Sequence, residues 1–333
     1  MSKLTRVLSL ILMACVIVPL SMKPSAGFAA EPAWKPQKNV ELVVGAQAGG
    51  ANDRMGRILQ KVLTEHDAAV PSMTVMNKPG QGQSLGVAYV NAHPGDPHYL
   101  VILGSSWVTT AITTRSTSTH RDLTPILKMV DTDLVMFVPA DSSFRNVKDV
   151  IDALKKGGPA LSFGFSTAAG NASHIALAQL ARYAELDPRE LRVVVNSSGS
   201  ITATQVAGGH VQVGVSSSGS ANAVVAAGKA RFIGALAKQR LHKLPDLPTM
   251  HEQGYEIMAP TWFTVFGPKG LQPSQVAFWE EALTKAIQHP EAKQFVEANN
   301  WTYDFVGASR LPGLLDKEHE RLRSMLVELG LVK

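Results

Sequence analysis

Cysteine is almost missing from this 333-residue chain: Cys15 is the only one, and it sits inside an N-terminal apolar run. If that run is removed on export, the mature chain has no thiol, which excludes disulfides, cysteine-ligated metals and a catalytic cysteine. Aromatic residues make up only 6% of the chain. None of them interleave with a basic run, which argues against nucleic acid as a partner. Charge of one sign is also scarce. The formal net charge is +5, but removal of Lys3, Arg6 and Lys23 with the leader leaves 29 basic against 27 acidic residues. After residue 20 no apolar stretch reaches transmembrane length without charges. What remains is an ordinary globular composition, and roughly 300 residues suffice for a large core, organised as two domains.

Lys3 and Arg6 precede the apolar run 7–20, and small residues follow at 25–30. This is the order of a secretory signal peptide, with cleavage after Ala29 or Ala30. The run is shorter than the roughly 18 residues needed to span a bilayer. An exported, periplasmic protein with a signal peptide at 1–29 is expected.

Beyond the leader, strand-like and helix-like segments alternate with short Gly, Ser and Pro turns, which predicts an α/β fold with parallel sheets. "VELVVGAQ" reads as a strand and "RMGRILQKVLTEH" as a helix, with Met55, Ile58, Leu59, Val62 and Leu63 on one stripe and Arg54, Arg57 and Lys61 off it. Asn52 or Asp53 can cap that helix. "DLVMFVPA" and "TWFTVFGP" read as further strands, with two helices after the latter. Strand after strand ends in Gly, Ser, Ala, Thr or Asn. In open parallel sheets ligands sit outside the carboxyl ends of the strands, where helix N-termini offer unpaired N–H groups.

The loop Gly80-Gln81-Gly82-Gln83-Ser84-Leu85-Gly86 raises the question of a dinucleotide. The strand after it, "YLVILG", ends in Gly104-Ser105-Ser106 and lacks the acid that would hold a ribose, and Pro79 also departs from the fingerprint. No Gly-Lys-Ser/Thr phosphate loop occurs. Gly164-Phe165-Ser166-Thr167-Ala168 has the wrong closing residue for a nucleophile elbow. The ten histidines, His66, His93, His98 and His120 among them, lack the paired spacing of a zinc site. No catalytic residue, cofactor or metal is expected. A secreted α/β enzyme acting on a carboxylate remains the rival reading.

Several stretches in order resemble one family, the Bug-type (TctC-like) extracytoplasmic solute receptors of tripartite tricarboxylate transporters. They are "VVGAQAGGANDRMGR", "NKPGQGQSLG", "FVPADSSFRNVKDVI", "GNASH", "AAGKARFIGALA", "LPDLPTMHEQGY" and "TWFTVFGPKGLQP". The resemblance implies a type II periplasmic binding protein fold. In it, one α/β domain (38–138 and 259–333) is joined by two crossing segments to a second (139–258), with a ligand between them. It also implies a small carboxylate ligand (a di- or tricarboxylate or an aromatic acid) gripped by loop backbone, hydroxyls and water. The partner would be a membrane transporter or sensor, and the receptor a monomer.

Site residues implied in the first domain are Gln47, Ala48, Gly49, Gly50 and Asn52, then Gly80, Gly82 and Ser84, then Ser105, Ser106 and Trp107. In the second they are Ser166, Thr167, Gly170, Asn171 and Ser173, then Ser198 and Thr202, then Ser216 and Ser217. Ala46 replaces the family's usual Phe, which suggests a roomier pocket or a polar contact from Gln47. Ser216 stands where members often carry an aspartate that would pair with an ammonium, which argues against an amino-acid ligand. Trp107 either walls the cleft or belongs to the core, and Trp262, His174 and Asp53 read as structural.

Overall fold

Short apolar runs rich in Val, Ile and Leu, each bounded by Gly, Ser, Thr, Asn or Pro, form most of the strands. The computed structural model describes residues 34–332 except 117, 118, 158, 159, 167 and 260. The expected signal segment, Cys15 and Thr167 therefore lie outside the described residues. Residues from Trp34 onward make one compact unit containing two sheets.

The first sheet is built from β1 (Val40–Val44), β2 (Met73–Asn77), β3 (Tyr99–Gly104), β4 (Leu123–Thr132), β10 (Thr261–Pro268) and β11 (Trp301–Gly307). Their order is β11-β4-β10-β3-β1-β2. The second contains β5 (Leu134–Pro139), β6 (Ser162–Ser166), β7 (Arg192–Asn196), β8 (Val213–Ser217) and β9 (Ala230–Ala235), in the order β7-β6-β8-β5-β9. The two sheets share a plan. In each, the strand arriving from the other sheet inserts antiparallel: β10 between β3 and β4, and β5 between β8 and β9. The neighbours β2-β1-β3 and β7-β6-β8 are parallel, and the edge strand β11 pairs antiparallel with β4.

Helices cover both faces of each sheet. On the first, α1 (Ala51–His66), α8 (Pro273–Gln288) and α9 (Pro290–Ala298) bury Met55, Leu59, Trp279 and Leu283 on one side. The other side holds α2 (Ser84–Asn91), α3 (Ser105–Thr113) and α10 (Leu311–Glu328). The second sheet is packed by α4 (Val147–Gly157) and α5 (Ala172–Tyr183) on one face, and by α6 (Gly199–Ala207) and α7 (Ser218–Ala226) on the other. Ile175 and Ala178 of α5 join Trp107 of α3 and Leu322 and Leu326 of α10 in one apolar cluster, so the two halves share a core on that side.

Three sequence expectations change. The boundary after residue 138 moves forward, because β4 ends at Thr132 in one sheet and β5 starts at Leu134 in the other, leaving Asp133 as the crossing. Val135, Met136, Phe137 and Val138 are fully buried as a central strand of the second sheet, and the Pro139 to Ser142 segment is a surface turn closed by Ser142 N–H to Pro139 C=O at 3.1 Å. The strand β4 escapes the sequence reading because Pro125 interrupts it; Pro125 sits where the β4–β10 register slips, a place that tolerates a residue without an N–H. After β10 the chain forms three helices and the edge strand β11, rather than two helices. The alternation of Trp301, Tyr303 and Phe305 with polar residues is the signal for that strand.

Candidate functional site

The carboxyl ends of β1, β3, β6, β7 and β8 each lead within a few residues into a helix: α1, α3, α5, α6 and α7. Residues at all five helix starts line one cavity of about 80 Å³ between the two sheets. From the first half come Gly50, Asn52, Ser105 and Ser106; from the second come Ser166, Asn171, Ser173, Ser198, Ser216 and Ser217. Thr132 and Leu134, flanking one crossing, and Thr261 and Phe263, at the start of β10, also line it. Among the described residues, none that lines the cavity carries a charged side chain.

Small residues at these positions let five backbones approach each other. At Gly199 an added Cβ would lie 2.3 Å from Ser216 Oγ and 2.8 Å from Ser220 Oγ. Each helix N-terminus behaves as roughly half a positive charge, because its first N–H groups have no intrahelical partner. Two of the five are capped: Asn171 Oδ1 accepts from the His174 N–H at 3.0 Å, and Ser198 Oγ from the Ile201 N–H at 3.3 Å. The starts of α1, α3 and α7, behind Gly50, Gly104 and Ser217, have no side-chain cap. The cavity therefore concentrates donors and positive potential without a cation.

Gln83, a residue the sequence reading passed over, ties the first half of the site together. It is 1% exposed. Its Oε1 accepts from Asn52 Nδ2 at 3.0 Å and from the Gly104 N–H at 3.1 Å, while its Nε2 donates to Ser106 Oγ. With that lone pair occupied, the Ser106 hydroxyl proton is free to turn toward the cavity. The glycines of this loop, together with Gly45, make room for that side chain. Gly82 holds φ at +58° with Thr110 so close that a Cβ would overlap it, and Gly45 leaves room for Gln83 Cβ, which would lie 2.6 Å from a Cβ there.

Gln47, Gly80 and Gly82 line a neighbouring recess of about 340 Å³ that shares Ala46 and Ser197 with the central cavity. There the two halves touch: Ser197 Oγ donates to Gln47 Oε1 at 2.8 Å, and Ser200 Oγ to the Gly49 C=O at 2.9 Å. The structure places the remaining expected contacts elsewhere. Ala48 and Gly49 lie on the exposed rim, and Ser84 opens α2 away from the cavity. Gly170 packs on Thr113. Thr202 is fully buried, donating to the Ser198 C=O at 3.3 Å. Trp107 is 1% exposed and meets Phe266 edge-on at 5.8 Å, which settles it as core. Trp262 is also buried in that cluster.

Two titratable groups near the helix starts, His174 and Asp53, are structural. Burial pushes the His174 imidazole below its ordinary value; its Nδ1 accepts from the Gly170 N–H at 2.9 Å and its ring stacks on Phe165 at 5.2 Å. Burial alone would raise the Asp53 carboxyl. Hydrogen bonds from Arg57, the Gly49 N–H and Asn77 outweigh it and hold the group below the usual range.

A family model described as the tripartite tricarboxylate transporter family receptor, TctC, matches residues 57–331. The chain is 28% identical over 302 residues to the UPF0065 protein in the tcbD-tcbE intergenic region of Pseudomonas sp. (strain P51), covering 89% of this chain and 88% of that relative. Among solved structures, the periplasmic binding protein BugD matches with a TM-score of 0.80 at 20% identity, over 90% of this chain and 99% of BugD. MatC (Rpa3494) from Rhodopseudomonas palustris, solved with bound malate, matches with a TM-score of 0.78 at 18% identity, over 87% of this chain and 99% of MatC. The expected α/β periplasmic binding protein fold is the one these proteins share. By the span of the family match, the chain belongs to the tripartite tricarboxylate transporter family of receptors.

Proposed function

We propose that the protein is an extracytoplasmic receptor that closes on a small carboxylate and delivers it to a membrane transporter. The observation that carries this reading is the uncharged cavity at five helix N-termini, three of them uncapped. A carboxylate supplies the acceptors those N–H groups lack, and an anion at a helix start is favoured by up to about 2 kcal/mol in partly buried geometry. Phe263 and Leu134 offer the ligand's carbon body an apolar surface. Among the described residues no acidic side chain lines the cavity to pair with an ammonium, so simple acids are preferred over amino acids. The signal-like N-terminus supports export, and contacts from both halves favour a closed state on binding.

Calorimetry over a panel of dicarboxylates, tricarboxylates and aromatic acids tests the reading. One ligand per chain should bind, and Ser166→Asp, which places a carboxylate in the cavity, should abolish binding in a protein of unchanged circular dichroism. The rival, a secreted enzyme acting on a carboxylate, requires product formation. Turnover of a bound acid, or unchanged affinity in Ser166→Asp, would reject the receptor reading or this placement of its site.

A further inference from the structure

The last turn of α1 carries His66, and the junction of α8 and α9 carries His289 and Glu291. More than 200 positions separate them in sequence, so the short-range spacing of a zinc motif is absent, yet the fold brings them together. One ligand atom from each lies within 4.8 Å of the other two. His66 Nε2 stands 3.2 Å from Glu291 Oε1, and the two imidazoles stack at 4.2 Å with 22° between their planes. Lys61 Nζ occupies the other carboxylate oxygen, Oε2, which leaves Oε1 turned toward His66. His289 Nδ1 is buried and has no hydrogen-bond partner among the described residues, which is unfavourable for a lone polar atom.

We propose that His66, His289 and Glu291 bind a divalent first-row transition metal ion, Zn²⁺ in the first instance, with water completing the coordination. Two imidazoles and one carboxylate are a donor set that suits Zn²⁺ and its neighbours. Zinc bonds of about 2.0–2.2 Å in a tetrahedron put ligand atoms about 3.4 Å apart. Closing from 4.8 Å requires the His66 ring to turn out of the stack, so that its in-plane lone pair converges with that of His289, and Glu291 to rotate; their side chains are 41% and 35% exposed. His289 stays fixed between the two helices, with Pro290 after it and its N–H bonded to the Ala286 C=O at 3.2 Å. The site lies at the far end of α1 from Asn52, about 20 Å of helix away. It therefore staples α1 to the α8–α9 junction and leaves the ligand cavity alone.

Titration calorimetry with zinc chloride on tag-free, chelator-stripped protein tests this. One equivalent of Zn²⁺ should bind and raise Tm by about 5 °C at a hundredfold excess over Kd. His66→Ala, an exposed substitution that leaves the fold intact, and Glu291→Gln should each weaken binding at least tenfold. Acid binding in the cleft should stay the same in both. Absence of saturable Zn²⁺ binding, or Zn²⁺ affinity unchanged in His66→Ala, would overturn the proposal.

Discussion

Gln83 is the residue on which the first half of the cleft depends. It is the common partner of Asn52, the Gly104 N–H and Ser106, so its truncation leaves three groups at the site short of a bond. Gln83→Ala is expected to cost about 1–3 kcal/mol of folding stability, because buried polar groups lose their partners. Acid affinity should fall along with it. Urea unfolding and calorimetry read the two effects. A mutant with full stability and full affinity would mean that Gln83 is a passive filler. The sequence marks this loop through its glycines, and those glycines matter for a reason the motif does not reveal. They permit a positive φ and close packing, which carry the neighbouring glutamine into the core.

At the scale of elements, the crossing from β4 to β5 has a titratable group at its centre. Asp133 is pushed up to about 6, mainly by burial, with the neighbouring Asp131 charge adding to it. A carboxyl whose folded pKa exceeds its unfolded value near 3.9 favours the folded state while protonated. That contribution is complete below the unfolded value and is lost as pH rises through about 6. Asp133→Asn is therefore expected to stabilise the protein at pH 7.5 by roughly 1–3 kcal/mol, with little difference from the parent near pH 4. Urea midpoints at the two pH values check this. An equal shift at both would rule out titration as the cause.

For the whole molecule, the proposed receptor role makes ligand retention depend on how the halves meet. The Ser197 to Gln47 hydrogen bond joins the rims over the recess, and it exists only when the halves are together. Gln47→Ala is expected to speed ligand release about threefold to tenfold, the worth of one exposed hydrogen bond of about 0.5–1.5 kcal/mol, while folding stability hardly changes. Stopped-flow displacement measures the rate; an unchanged rate would assign closure to the ligand contacts alone. Asn300 also accepts from the Lys243 N–H at 2.7 Å and donates to Ser218 Oγ at 3.0 Å, a second link between the halves.

The sequence by itself determined the alternation of strands and helices, the small polar residues at strand ends and the lack of any cysteine other than Cys15. These are local properties, set by period, turn chemistry and composition, and the ordered family-like stretches extended them to a fold. It also brought forward ten residues that line the central cavity, because strand ends and helix starts are adjacent in sequence. Only the tertiary structure decided which residues meet across long separations. Thr132, Leu134, Thr261 and Phe263 reach the cavity because the two crossing strands insert between others. Trp107 leaves it because α3 turns that side chain onto Phe266 and into the core. His66 meets His289 and Glu291 because α1 packs on α8 and α9. Periodicity reports which face of an element is buried, but the partner that buries it is chosen by packing, and contacts of that range leave no spacing in the chain.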